Sequence, residues 1–186
     1  MASLIDLLID DLNNEDTGYN KLLDLSNDKT SAIVKGDVDE LQKIFLQEQK
    51  LIEELETVEQ KRQEDVKEIC SILRLPYEQI RVEHIVQILE KKPKEHDALE
   101  EVYLRLKRTL NQLTTVNDNN KLLLKESMDM IQFELDLARN SVMDPQTSNY
   151  GRTAYEEQGI IYFYSRSTAT VTEAFASGTA SLRVSH

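Results

Sequence analysis

Three histidines, one cysteine and thirty-four carboxylates are the side chains of this 186-residue chain with the types for chemistry. Histidine and cysteine would hold a metal, and paired carboxylates would transfer protons or bind calcium. The spacing supports none of these. His84, His96 and His186 are far apart, and none sits at metal-ligand distance in sequence from another His or Cys. Cys70 is the single cysteine, which excludes an internal disulfide and a thiolate cluster. Its place between Ile69 and Ile72 suits a buried, inert thiol. Asn13 to Asp24 superficially resembles a calcium loop, with Glu15, Thr17 and Gly18 in step. Lys21 falls at a ligand position, however, and Asp24 replaces the long bidentate Glu, so the stretch reads as surface helix or a local kink. The five glycines are isolated, which rules out a phosphate-cradling loop. The remaining carboxylates fall on exposed helix faces with no histidine beside them, a poor setting for acid–base catalysis. The chain is expected to be no enzyme, with no cofactor and no metal.

The elements that carry these residues are helices. Hydrophobic residues make up 40% of the chain but aromatics only 6%, with no Trp. Leu, Glu, Lys and Gln dominate, and such straight side chains lose little rotamer freedom in a helix. The length fits one domain or one elongated helical module.

Charge is unevenly placed. The formal net charge is −12, and residues 1–60 hold fifteen acidic against five basic residues. Such a surface repels phosphate backbones and acidic membrane faces, so neither nucleic acid nor membrane insertion is expected. The plain reading is a solvated, soluble surface. The opening run Leu4 to Asp10 is apolar but broken by Asp, with no basic residue before it, unlike a signal peptide. No other segment is long enough to span a bilayer, and the expected location is the cytoplasm.

Ser3 followed by Asp6 predicts a helix start, and Ile5, Leu8, Leu12, Tyr19, Leu22 and Ile33 form one stripe behind it. Gly36 should end this helix in the left-handed conformation, with Asp37 and Glu40 capping the next. There the stripe runs Leu41, Phe45, Ile52, Leu55, Val66, Ile69 and Leu73, widened by Ile44, Leu51 and Val58. Glu48, Glu59 and Arg62 fall at apolar positions of that stripe. Without partners they would resist burial, so the packing opens there or the face is partly wet. Pro76 should close the helix. Val82, Ile85, Val86 and Leu89 form a short helix, and Pro93 opens the longest one, reaching about Arg139. Its stripe of Leu99, Val102, Leu106, Leu110 and Leu113 runs on into Asn117 and Asn120, which either fix register or mark a change of packing partner. The expected fold is all-α: an elongated antiparallel bundle of about three long helices plus one short helix, with an irregular C-terminal tail. Residues 1–140 would form the helical domain. Residues 141–186 would form a partly flexible tail with the aromatic run Ile160 to Tyr164.

One stretch carries more apolar side chains than a single neighbour can cover. Leu124, Met128, Ile131, Leu135 and Ala138 continue the stripe, while Leu123, Met130, Phe133 and Leu137 lie on other sides. Either the bundle or the tail covers them, or they receive a partner, for which adaptable Met is suited.

In this order and at these lengths, several parts resemble the FlgN family of flagellar export chaperones over roughly residues 4–155. They are the leading helix ending in Ile33-Val34-Lys35-Gly36-Asp37, the Glu/Leu/Gln-rich helix Leu41 to Leu55, and the long helix with Asn117-Asp118-Asn119-Asn120-Lys121-Leu122-Leu123. The segment Ser148-Asn149-Tyr150-Gly151 completes the set. Residues beyond about Gly159 do not match the family pattern. The resemblance implies a cytoplasmic chaperone of type III protein export. It would bind the C-terminal region of hook-associated (hook–filament junction) proteins, prevent early assembly and deliver them to the export gate. It places partner binding on Leu123, Met130, Ile131, Phe133 and Leu137, and ties gate docking to the region of Tyr150. The alternative is a helical scaffold that homodimerises through the 123–137 face.

Overall fold

Ser3 starts the fold as expected. Its Oγ accepts the N–H of Ile5 at 3.2 Å, and the Asp6 carboxylate accepts the Ser3 N–H at 2.8 Å. These bonds satisfy amide groups that the first helical turn leaves unpaired. A computed structural model describes residues 3–141. Within them α1 spans Leu4–Lys35, α2 Val38–Leu73, α3 Val82–Ile88 and α4 Pro93–Ser141. Short 3₁₀ turns at Tyr77–Gln79 and Leu89–Lys91 flank α3. Among the described residues, no helix is long and apolar enough to cross a membrane.

The turns follow their residues. Gly36 takes φ 66°, and Asp37 donates its N–H to the Ala32 carbonyl at 3.0 Å. Asp37 Oδ1 then accepts the Glu40 N–H at 3.0 Å and opens α2. The other end of α2 is closed by Arg74, left-handed at φ 54°, two residues before Pro76. Leu75 there donates its N–H to the Cys70 carbonyl at 2.9 Å. Leu73, expected in the stripe, is exposed at the last position of α2. Pro93 occupies the first position of α4, where its missing N–H costs nothing.

The fold is the expected all-α bundle of three long helices and one short one. Helix α1 lies between α2 and α4 and packs along both. Cross-helix bonds set the directions. Glu15 meets Arg62 and Lys29 meets Glu48, so α1 and α2 are antiparallel. Asp16 meets Arg105 and Thr30 meets Asn120, so α4 runs parallel to α1.

The main apolar core fills one end: Ile5, Leu8, Leu12, Tyr19 and Leu22 of α1 meet Val66, Ile69 and Cys70 of α2, and α3 and the first half of α4 close it. Cys70 is buried, and burial pushes its thiol pKa up. From α4 come Leu99, Val102, Tyr103, Leu106, Leu110 and Leu113. Each fully buried Leu contributes roughly 1.5–3 kcal/mol. A smaller second cluster joins Ala32 and Ile33 to Leu41 and Ile44 at the Gly36 turn, with Leu123 and Leu124 packed against it.

Of the charged residues in the α2 stripe, Glu48 and Arg62 are neither wet nor a gap in the packing. Arg62 and Glu48 are buried, each beside an opposite charge on α1. Arg62 Nε donates to Glu15 Oε1 at 2.6 Å, and Lys29 Nζ stands 2.5 Å from Glu48 Oε2. Glu59 is half-buried and accepts the Tyr19 hydroxyl at 2.5 Å. Burial raises the Glu15 pKa to about 7 against the pull of Arg62, and raises that of Glu48 against the pull of Lys29. The Asn13–Asp24 stretch is helical, with Asn14, Thr17, Lys21 and Asp24 on the surface and Glu15, Asp16 and Gly18 buried within the bundle. A Cβ on Gly18 would fall 2.5 Å from Leu55 Cδ2, so glycine lets α2 approach α1 closely here.

Candidate partner-binding face

Helix α4 is held to α1 first by a charged group and then by amides. Asp16 accepts from Arg105 Nε and from Thr109 Oγ1, both at 2.8 Å, and Arg105 also reaches Asn13. Three turns on, Ser26 Oγ donates to Asn117 Oδ1 at 3.0 Å. Asn120 Nδ2 donates to the Ser26 carbonyl at 2.7 Å, and its Oδ1 accepts from Thr30 at 2.6 Å. Asn120 is almost wholly enclosed and therefore fixes the register of the two helices.

That register has a geometric consequence. The paired residues are 89 to 94 positions apart in sequence. Lys35 at the end of α1 therefore stands level with about residue 126 of α4, and some 15 residues, ~22 Å of helix, continue past it.

The sequence-predicted residues lie on and just before this overhang. Met130, Phe133 and Leu137 stand open at 64%, 62% and 53% exposure. Their i, i+3, i+7 spacing puts them in one row. Ile131 is half-buried, on the side of Leu124, Met128, Leu135 and Ala138, which are also half-buried. Leu123 is half-buried against the second core cluster, so it borders the face and the bundle together. Leu122, outside the predicted set, is exposed and lies three turns before Phe133 on the same side. Its place in the apolar surplus and its eleven-residue spacing from Phe133 are the signals for it in the sequence. Tyr150 and the 141–186 tail assignment lie outside the described residues, except for Ser141 itself, which is the last residue of α4.

Charge borders the row asymmetrically. By helical spacing Glu126, Asp129 and Glu134, all exposed, border Met130 and Phe133, Lys125 flanks the edge beside Leu122 and Asp129, and Lys121 and Arg139 fall on the far side. The face is apolar with an acidic margin. It offers contact area and charge complementarity to another chain. Among the described residues no group of His, Cys, Asp and Glu could hold a metal ion. His84 is spent on structure, its Nδ1 accepting the Arg81 N–H at 3.0 Å.

Fold and face together define an elongated all-helical protein with an apolar helical overhang. The family model described as FlgN protein matches residues 1–158, and the chain belongs to the FlgN family. That membership implies a flagellar export chaperone, a non-enzymatic role that involves binding flagellar proteins. The match stops where the likeness read from the sequence also ends. No curated protein and no solved structure matches the chain.

Proposed function

We propose that this protein is a cytoplasmic chaperone of flagellar type III export. It captures the C-terminal region of hook-associated, hook–filament junction proteins, keeps them from assembling early and delivers them to the export gate. The observation that carries this reading is the open row of Met130, Phe133 and Leu137 on a chain of the FlgN family. Capture is of the helix-in-groove kind: an amphipathic segment of the client lays its apolar stripe on the overhang. Leu123 and Ile131 widen the contact at its edges. The acidic margin selects a client helix flanked by Lys or Arg, because opposite charges steer the encounter and fix orientation. Docking on the gate is assigned to the region of Tyr150.

Met130→Asp with Phe133→Asp tests the reading against the C-terminal region of a junction protein. Binding should be lost while far-UV circular dichroism stays unchanged. Unchanged binding overturns the reading. Sedimentation of the free protein addresses the rival: a dimer that consumes the 123–137 face would make the chain a scaffold.

A further inference from the structure

The two halves of α4 are attached to the bundle in different ways. From Leu99 to Leu113 the helix buries six apolar side chains in the main core. From residue 114 to 139 the only fully buried side chain is Asn120, an amide. The contacts of this second half include three hydrogen bonds to Ser26 and Thr30 and the half-buried Leu123 and Leu124 against Ala32, Ile33, Leu41 and Ile44. Its other inward apolar side chains, Val116, Met128, Ile131 and Leu135, are half-buried as well. Hydrogen bonds to water replace those of Ser26, Thr30, Asn117 and Asn120 when the helices part, so little net stability is lost there. Apolar burial has no such replacement. The first half is therefore an anchor and the second a weakly held arm, with the boundary just after Leu113.

We propose that the arm of α4 beyond Leu113 separates from the α1–α2 hairpin when a client binds, and that the client's helix takes its seat on Ala32, Ile33, Leu41 and Ile44. This rests on the chaperone reading above and extends its binding surface from the overhang into the bundle. The occupant follows from the seat. A trough shaped by one helix fits another, so the client segment is helical with an apolar stripe. Departure of the arm takes from Ser26 its bonds to Asn117 and Asn120, while the Thr30 hydroxyl keeps its bond to the Ser26 carbonyl at 3.0 Å. A buried polar group left unbonded is costly, so a client helix with Asn, Gln, Ser or Thr facing Ser26 is favoured over one that is apolar there.

A reversible lock tests the arm. Ser26→Cys with Asn117→Cys replaces the 3.0 Å contact between the two helices with a disulfide, while Cys70, buried in the main core, stays out of reach. The probe is the purified C-terminal region of a hook-associated protein. The oxidised variant should bind it at least tenfold more weakly than the same sample after reduction, and the wild type should respond to neither treatment. Binding within twofold in the two states overturns the proposal. Failure of the probe to bind the reduced variant and the wild type alike overturns the chaperone reading instead. A second measurement stands independently of the lock. Spin labels at the exposed Ser31→Cys and Lys121→Cys positions should gain a longer distance once the probe is bound. An unchanged distance with the probe bound overturns the proposal.

Discussion

Arg62 of α2 reaches Glu15 of α1 across 2.6 Å with both side chains enclosed by the bundle. An enclosed ion pair adds little over a well-packed apolar pair, yet removing one member strands the other charge. Arg62→Leu should therefore cost about 3–5 kcal/mol in urea unfolding. Glu15→Leu with Arg62→Leu should recover most of that loss. A double variant as unstable as the single one would show that the pair does more than neutralise itself.

The same carboxyl makes stability depend on pH. Burial raises the Glu15 pKa from 4.5 to about 7, with Arg62 only partly opposing it. A pKa raised on folding means that the folded chain favours the protonated acid. Its contribution is complete below pH 4.5 and is lost as pH rises to about 7. Glu48 is shifted in the same direction. Unfolding free energy should fall between pH 5 and pH 7.5 by up to about 3 kcal/mol. Glu15→Gln should flatten that slope without abolishing it, because Glu48 remains.

Asn120 joins α4 to both Ser26 and Thr30. Asn120→Ala should destabilise by about 1–3 kcal/mol through the unsatisfied groups it leaves. The exposed neighbour Asn119→Ala should stay within about 0.5 kcal/mol. Chemical denaturation of the two variants side by side checks the contrast.

Gly18 permits the closest approach of α1 and α2 described above. Gly18→Ala sets a better helix former against a shift of the Leu55 tip, and should be close to neutral. Gly18→Val should cost about 1–3 kcal/mol, because added branches overfill a packed site. Melting curves of the two variants separate these outcomes.

Met130→Asp and Phe133→Asp alter side chains that are more than half exposed. They should change folding stability by no more than about 0.5 kcal/mol each. A larger loss would mean that these side chains serve the interior of the protein.

Much of the architecture was legible because helix caps and apolar periodicity are local. Ser3, Gly36 and Pro93 do what their types dictate, and the α4 stripe from Leu99 to Leu113 is buried in full. Polar burial was not legible. Glu15 looks like any solvated carboxylate until Arg62, 47 residues away, is brought beside it. The apolar surplus after Asn120 was visible as composition. Which part of it projects depends on helix register, set by Ser26, Thr30 and Asn120, which lie far apart in the chain. Arg74 escaped notice because a left-handed non-glycine carries little local signal.

The placing of α1 between its two neighbours also orders events during synthesis. The α1–α2 hairpin closes between nearby residues and can assemble as soon as both have left the ribosome. The opposite flank of α1 must wait for a strip of chain about ninety positions downstream, since Asp16 and Thr30 find their mates only in α4. Until then Leu8, Leu12 and Leu22 lack part of their final cover. Contacts this distant in sequence slow the last step of folding. The nascent protein thus passes through an interval in which it is itself an unprotected client.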